Sequence, residues 1–160
     1  MKRAATIFLR TAIIFMGLSV LAICTLLLPS LWGDVAAEFP GYSYAVYLVF
    51  LAMFIAAIPF FVGLYGAWRL LFYIDKGMSF TDKSAKSVKT IAFAAGIISL
   101  IYIVSMPFFY IWADNDDAPG LVVIGMVLVG APMVIAVFAS LLHHLIREAT
   151  DLKSENELTV

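Results

Sequence analysis

Four long apolar runs divide the chain, at about Ala4–Leu28, Tyr44–Ile74, Ile91–Trp112 and Leu121–Ile146. Each reaches the roughly 20 residues that a helix needs to cross a bilayer. The pattern predicts spans over about 4–28, 44–74, 89–112 and 119–146, a connection at 75–88 and a tail at 147–160. No remaining segment is long enough for a soluble domain. Residues 1–160 therefore read as a single transmembrane domain, an all-α integral membrane four-helix bundle.

Local signals place the element ends. Pro29-Ser30 predicts a stop for the first helix. A connection with a Phe39-Pro40-Gly41 turn follows, and Trp32, Phe39 and Tyr42 fit an interfacial aromatic belt. The second run would give about 45 Å of helix against roughly 30 Å of hydrocarbon, so it must tilt, kink or project. Pro59 is its kink candidate, and Trp68, Phe72 and Tyr73 mark an interface where Arg69 can snorkel. In Ile74-Asp75-Lys76-Gly77-Met78-Ser79-Phe80-Thr81, Gly77 suits a left-handed helix end and Thr81 an N-cap. Phe80 is expected to lie against the helix ends and hold the turn. The basic stretch Asp82–Lys89 then reads as the first turns of the third helix, which has Pro107 near its far end. A short Asp114–Gly120 loop makes the last two helices an antiparallel hairpin. Gly130 and Pro132 interrupt the fourth helix, which is expected to be able to continue past Asp151 beyond the membrane, and Ser154–Val160 reads as a frayed polar end.

Charge then orients these spans. The ten basic residues are Lys2, Arg3, Arg10, Arg69, Lys76, Lys83, Lys86, Lys89, Arg147 and Lys153, and all fall on one side. The first and third connections hold only acids: Asp34, Glu38, Asp114, Asp116 and Asp117. The overall charge of −1 thus hides a strong polarity. By the positive-inside rule both termini are cytoplasmic, and the chain reads as a multi-pass protein of the cell inner (plasma) membrane. At 64% hydrophobic and 13% charged, the composition does not suit a soluble domain. The first apolar run is longer than a signal-peptide core, so it reads as a retained helix. Cys24 is the sole cysteine; an internal disulfide is impossible, and a buried inert thiol is expected.

The candidate chemistry is sparse. The central parts of the spans carry no Asp, Glu, Lys or Arg, which argues against proton relays, ion coupling and voltage sensing. Ser19, Thr25, Ser99 and Ser105 are expected to bond to backbone of their own or a neighbouring helix. His143-His144 lacks metal-site spacing, and Asp114–Asp117 does not match a calcium loop. Small residues recur at Ala52/Ala56, Ala92/Gly96 and Ala136/Ser140, with Gly63 and Gly66 nearby. They suit packing within the bundle or, alternatively, a homo-oligomer. No nucleophile–base pair or phosphate loop is present, so the reading is non-enzymatic, with no catalytic residues, cofactor, metal or direct nucleic-acid binding.

Two segments carry a family resemblance: Gly77-Met78-Ser79-Phe80-Thr81, followed by a basic helix start, and Glu155-Asn156-Glu157-Leu158-Thr159-Val160. With the four spans, they resemble the bacterial DUF2975 family of YoaS-like membrane proteins. Members commonly show a Gly-x-x-Phe-Thr loop and a tail near Glu-x-Asp-Leu-Thr-Val; Glu157 stands where Asp is usual. The family carries no assigned activity. Its members are often encoded beside a small helix-turn-helix regulator, which implies a regulatory pair. The leading expectation is a sensor or anchor for such a cytoplasmic regulator, lodged in the lipid bilayer. The alternatives are a small transport or immunity component and a structural assembly subunit. The candidate partner-docking residues are Asp75, Gly77, Phe80, Thr81, Glu157, Leu158, Thr159 and Val160.

Overall fold

The computed structural model describes residues 2–38 and 40–158, the side chains of residues 2, 3, 36 and 156–158 excepted. The helices are α1 (Lys2–Ala22), α2 (Leu28–Glu38), α3 (Ser43–Asp75), α4 (Asp82–Asn115) and α5 (Gly120–Leu158). A single π turn, Ile23–Leu27, joins α1 to α2. The described residues contain no strand. Four stretches are long and apolar enough to cross a membrane: Ala4–Val35, Ser43–Asp75, Asp82–Asn115 and Gly120–Glu155.

Pro29 does not end the first helix, contrary to the expectation from sequence. The chain passes through it to Glu38. Proline has no N–H, and its ring presses on the carbonyl four residues earlier. The π turn immediately before it relieves that conflict by widening the ladder: the Leu28 N–H reaches back five residues, to the Ile23 carbonyl. Trp32 consequently rides on a helix rather than in a loop. Residues 40–42 form the expected turn, while Phe39 lies outside the described residues.

The later helices outrun the bilayer. With 33 residues α3 measures about 50 Å, and with 39 residues α5 measures about 58 Å, against roughly 30 Å of hydrocarbon. Pro59, Pro107 and Pro132 are all held inside unbroken helices. The last helix continues past Asp151 as expected, but Ser154–Leu158 differs from expectation, because α5 stays helical through Leu158. Between Arg147 and Leu158 there is no Gly or Pro, and Arg, Glu, Ala, Leu and Lys are all good helix formers.

Packing is uneven. Contacts are extensive between α3 and α4 and between α4 and α5, whereas α1 and α2 lie more lightly on α3. Small residues set the close approaches. A Cβ at Gly66 would stand 3.2 Å from the Ser87 carbonyl, and one at Gly125 only 2.9 Å from Met106 Sδ. The hydroxyls at depth bond as expected: Ser19 to Phe15, Thr25 to Leu21, Ser105 to Ile101, and Ser99 across to the Val129 carbonyl of α5 at 2.9 Å. The antiparallel helices gather the basic residues at one end, and the purely acidic connections with Asp34, Glu38, Asp114, Asp116 and Asp117 at the other. At the acidic end Trp32, Tyr47, Phe50, Phe54 and Trp112 form an aromatic cluster. Leu28 and Val46 are buried beside it.

A candidate docking site at the basic end

The link from α3 to α4 is closed by its own backbone. The Gly77 N–H bonds to the Ile74 carbonyl at 3.0 Å and the Met78 N–H to the Tyr73 carbonyl at 2.9 Å. This is the paired bonding of a Schellman helix end. Gly77 has φ +72°, the left-handed conformation expected from its position. Thr81 is extended, and its side chain accepts from the Ser84 N–H to cap α4. The Met78 carbonyl accepts twice more, from Thr81 Oγ1 at 3.0 Å and Ser84 Oγ at 2.5 Å. Ser84 is fully buried beneath the turn.

The last span braces this unit. His143 Nδ1 donates to the Ala85 carbonyl at 2.9 Å, which places the ring proton on Nδ1 because a carbonyl can only accept. Ile146 packs with Ala85 and Val88. The end of α3, the start of α4 and the end of the α5 span thus form one platform. Lys83, Lys86, Lys89 and Arg147 are exposed on it.

The first span is tied to the platform by charge. Asp75 is the final residue of α3, and its Oδ2 lies 2.6 Å from Arg10 on α1. The Arg10 guanidinium also sits 5.6 Å from the Trp68 ring centroid. Arg69 donates to the Tyr73 hydroxyl at 2.6 Å, and Lys76 lies 4.3 Å from the Phe72 ring centroid. Cations laid over aromatic faces suit the boundary between hydrocarbon and headgroups.

These contacts sort the residues singled out in the sequence. Asp75, Gly77 and Thr81 each have a task inside the fold. Phe80 does not: it is 59% exposed, instead of lying against the helix ends as expected. The turn is already closed by polar bonds, and the buried Ser84 fills the space under it. Glu157 and Leu158 fall at the end of α5, where only the backbone is described. Thr159 and Val160 lie outside the described residues. Sequence reasoning missed Arg10, Ser84 and His143. Arg10 and Asp75 carried a signal, since they are opposite charges at matching depth on adjacent spans. Ser84 carried another, three residues after an N-cap.

A second feature was not anticipated. Mid-span, the helices line a side-open cavity of about 480 Å³. Its deep wall comes from α3 and α4 and includes Ala56, Pro59, Ala95 and Tyr102; α1, the π turn and α5 supply the sides. Small residues and prolines on facing spans leave the space unfilled.

The fold and the charge segregation define a four-span helical membrane protein with no soluble domain among its described residues. The chain belongs to the DUF2975 family of proteins of unknown function, whose model matches residues 30–160. It is 48% identical over 160 residues to the uncharacterized membrane protein YoaS of Bacillus subtilis strain 168, covering the whole of both chains. No solved structure matches it.

Proposed function

We propose that this protein is a non-enzymatic anchor or sensor that holds a regulator at the cytoplasmic face of the plasma membrane. In this reading both termini and the platform face the cytoplasm, as the segregation of Lys and Arg supports. The observation that carries it is Phe80: a large aromatic, more than half exposed, on a multiply bonded turn. A large aromatic held out on a fixed turn can serve as the buried anchor of an interface. Lys76 and Lys83 nearby favour a partner with an acidic rim, and a small helix-turn-helix regulator is the partner class proposed.

The test is recovery of partners from native membranes. Phe80→Ala should lower recovery several-fold while leaving insertion intact and thermal stability little changed, because more than half of the side chain is exposed. Equal recovery from wild type and Phe80→Ala, at equal expression, would exclude the turn as the docking point.

A further inference from the structure

We propose that the mid-span cavity binds one acyl chain of a membrane phospholipid, which enters sideways between α1 and α5. Three observations carry this.

The first is the open ring of helices. Extended contacts run from α1 to α3, α3 to α4 and α4 to α5, and none of comparable extent joins α1 to α5. Yet both α1 and α5 supply walls of the cavity, through Val20 on one side and Val127, Ala131 and Ile135 on the other. The floor residues Ala56, Pro59, Ala95 and Tyr102 are buried, whereas Ile23 in the π turn and Val127, Ala131 and Ile135 are exposed. The accessible edge is therefore the α1–α5 side, which faces the bilayer.

The second is the chemistry of the wall. Apart from Cys24, Met53 and Tyr102, the side chains lining it are all hydrocarbon. Water needs several polar partners to stay in such a space and does not find them. An empty space of this size forfeits packing on every side. A flexible hydrocarbon chain restores those contacts.

The third is supply. The cavity lies midway along all four spans, at a depth where acyl chains surround the protein. Its volume of about 480 Å³ is within the range of pockets that take small ligands, roughly 300–1,000 Å³. The π turn lies beside the open edge. Ile23 and Cys24 of that turn line the cavity, and π turns are frequent at functional sites.

The full chain should be reconstituted in phosphatidylcholine vesicles doped with a phospholipid bearing a mid-chain diazirine. Adducts are then mapped by mass spectrometry after illumination. They should concentrate on cavity-wall segments around Cys24, Pro59 and Pro132, above the lipid-facing Phe93 and Phe138. Ala131→Phe, which places bulk on an exposed rim position, should lower the cavity adducts several-fold. Val134→Phe, exposed outside the lining, should not. Adducts spread evenly around the perimeter of wild-type protein would overturn the proposal, as would undiminished cavity labelling in Ala131→Phe. An isoprenoid or other apolar molecule found there in place of phospholipid would also overturn it. Should Ala131→Phe fail to fold, the wild-type adduct map decides alone.

Discussion

Gly77 shows how one backbone angle shapes the whole basic end. At φ +72° a side chain is strained by its own backbone, although a Cβ there would meet nothing within 4 Å. Gly77→Val should therefore cost about 1–2 kcal/mol, all of it from the residue's own backbone and none from neighbouring side chains. Gly77→Asn should cost less, since Asn tolerates the left-handed region. Thermal unfolding in detergent would check both, and equal losses would show that the conformation is not what matters. Thr81→Ala removes a cap worth about 1 kcal/mol. Ser84→Ala removes the shorter bond to the same Met78 carbonyl. Because the two hydroxyls share one acceptor, their losses should not add in a double-mutant cycle. The Arg10–Asp75 pair is over a third exposed on each side chain, at 37% and 34%. Removing it by Arg10→Ala should cost only about 0–1 kcal/mol of stability. Its effect should appear instead as greater mobility of α1, readable from a spin label at Cys24.

At the scale of elements, the existence and type of every span were legible, because each apolar run is long and the composition leaves no rival. The ends were legible wherever local chemistry decides them. Gly77 and Thr81 closed α3 and opened α4 as their residue types predict. Pro29 was misread because a proline signal is local, while the π turn that accommodates it is a property of the preceding ladder. The tail was misread in the other direction, with polarity taken for fraying where helix propensity prevails. Phe80 was misplaced because the sequence does not show that Ser84 already occupies the space beneath the turn. The small-residue pattern marked close approach without saying which pairs meet. The structure selects Gly66 against Ser87 and Ile91, and Gly125 against Met106 and Phe109. Gly96, by contrast, faces open space. Gly66→Leu must push α3 from α4 and should cost about 1–3 kcal/mol, whereas Gly96→Leu should be near neutral. Comparable losses at the two positions would mean that α3 and α4 can separate freely.

At the scale of the molecule, the charge pattern and the packing agree on one polarity axis. The sequence separates ten basic residues from the acidic connections. The antiparallel helices bring those separated segments to opposite ends, so the asymmetry belongs to the folded protein and not only to its linear map. What sequence could not reveal is the open ring, since the relation of α1 to α5 depends on which small faces meet. The orientation of the axis is testable with single cysteines in a Cys24→Ser background. Asn115 is exposed at the acidic end, and Lys83 and Ser154 are exposed toward the basic end. Ser84 is unsuitable as a probe, because its lack of exposure would report burial rather than sidedness. In intact cells an impermeant maleimide should modify Asn115→Cys. It should reach Lys83→Cys and Ser154→Cys only after the membrane is permeabilised. Labelling of Lys83→Cys in intact cells would reverse the axis and put the Phe80 turn outside. No cytoplasmic regulator could then dock there, while the acyl-chain site, lying midway between the two faces, would stand unchanged.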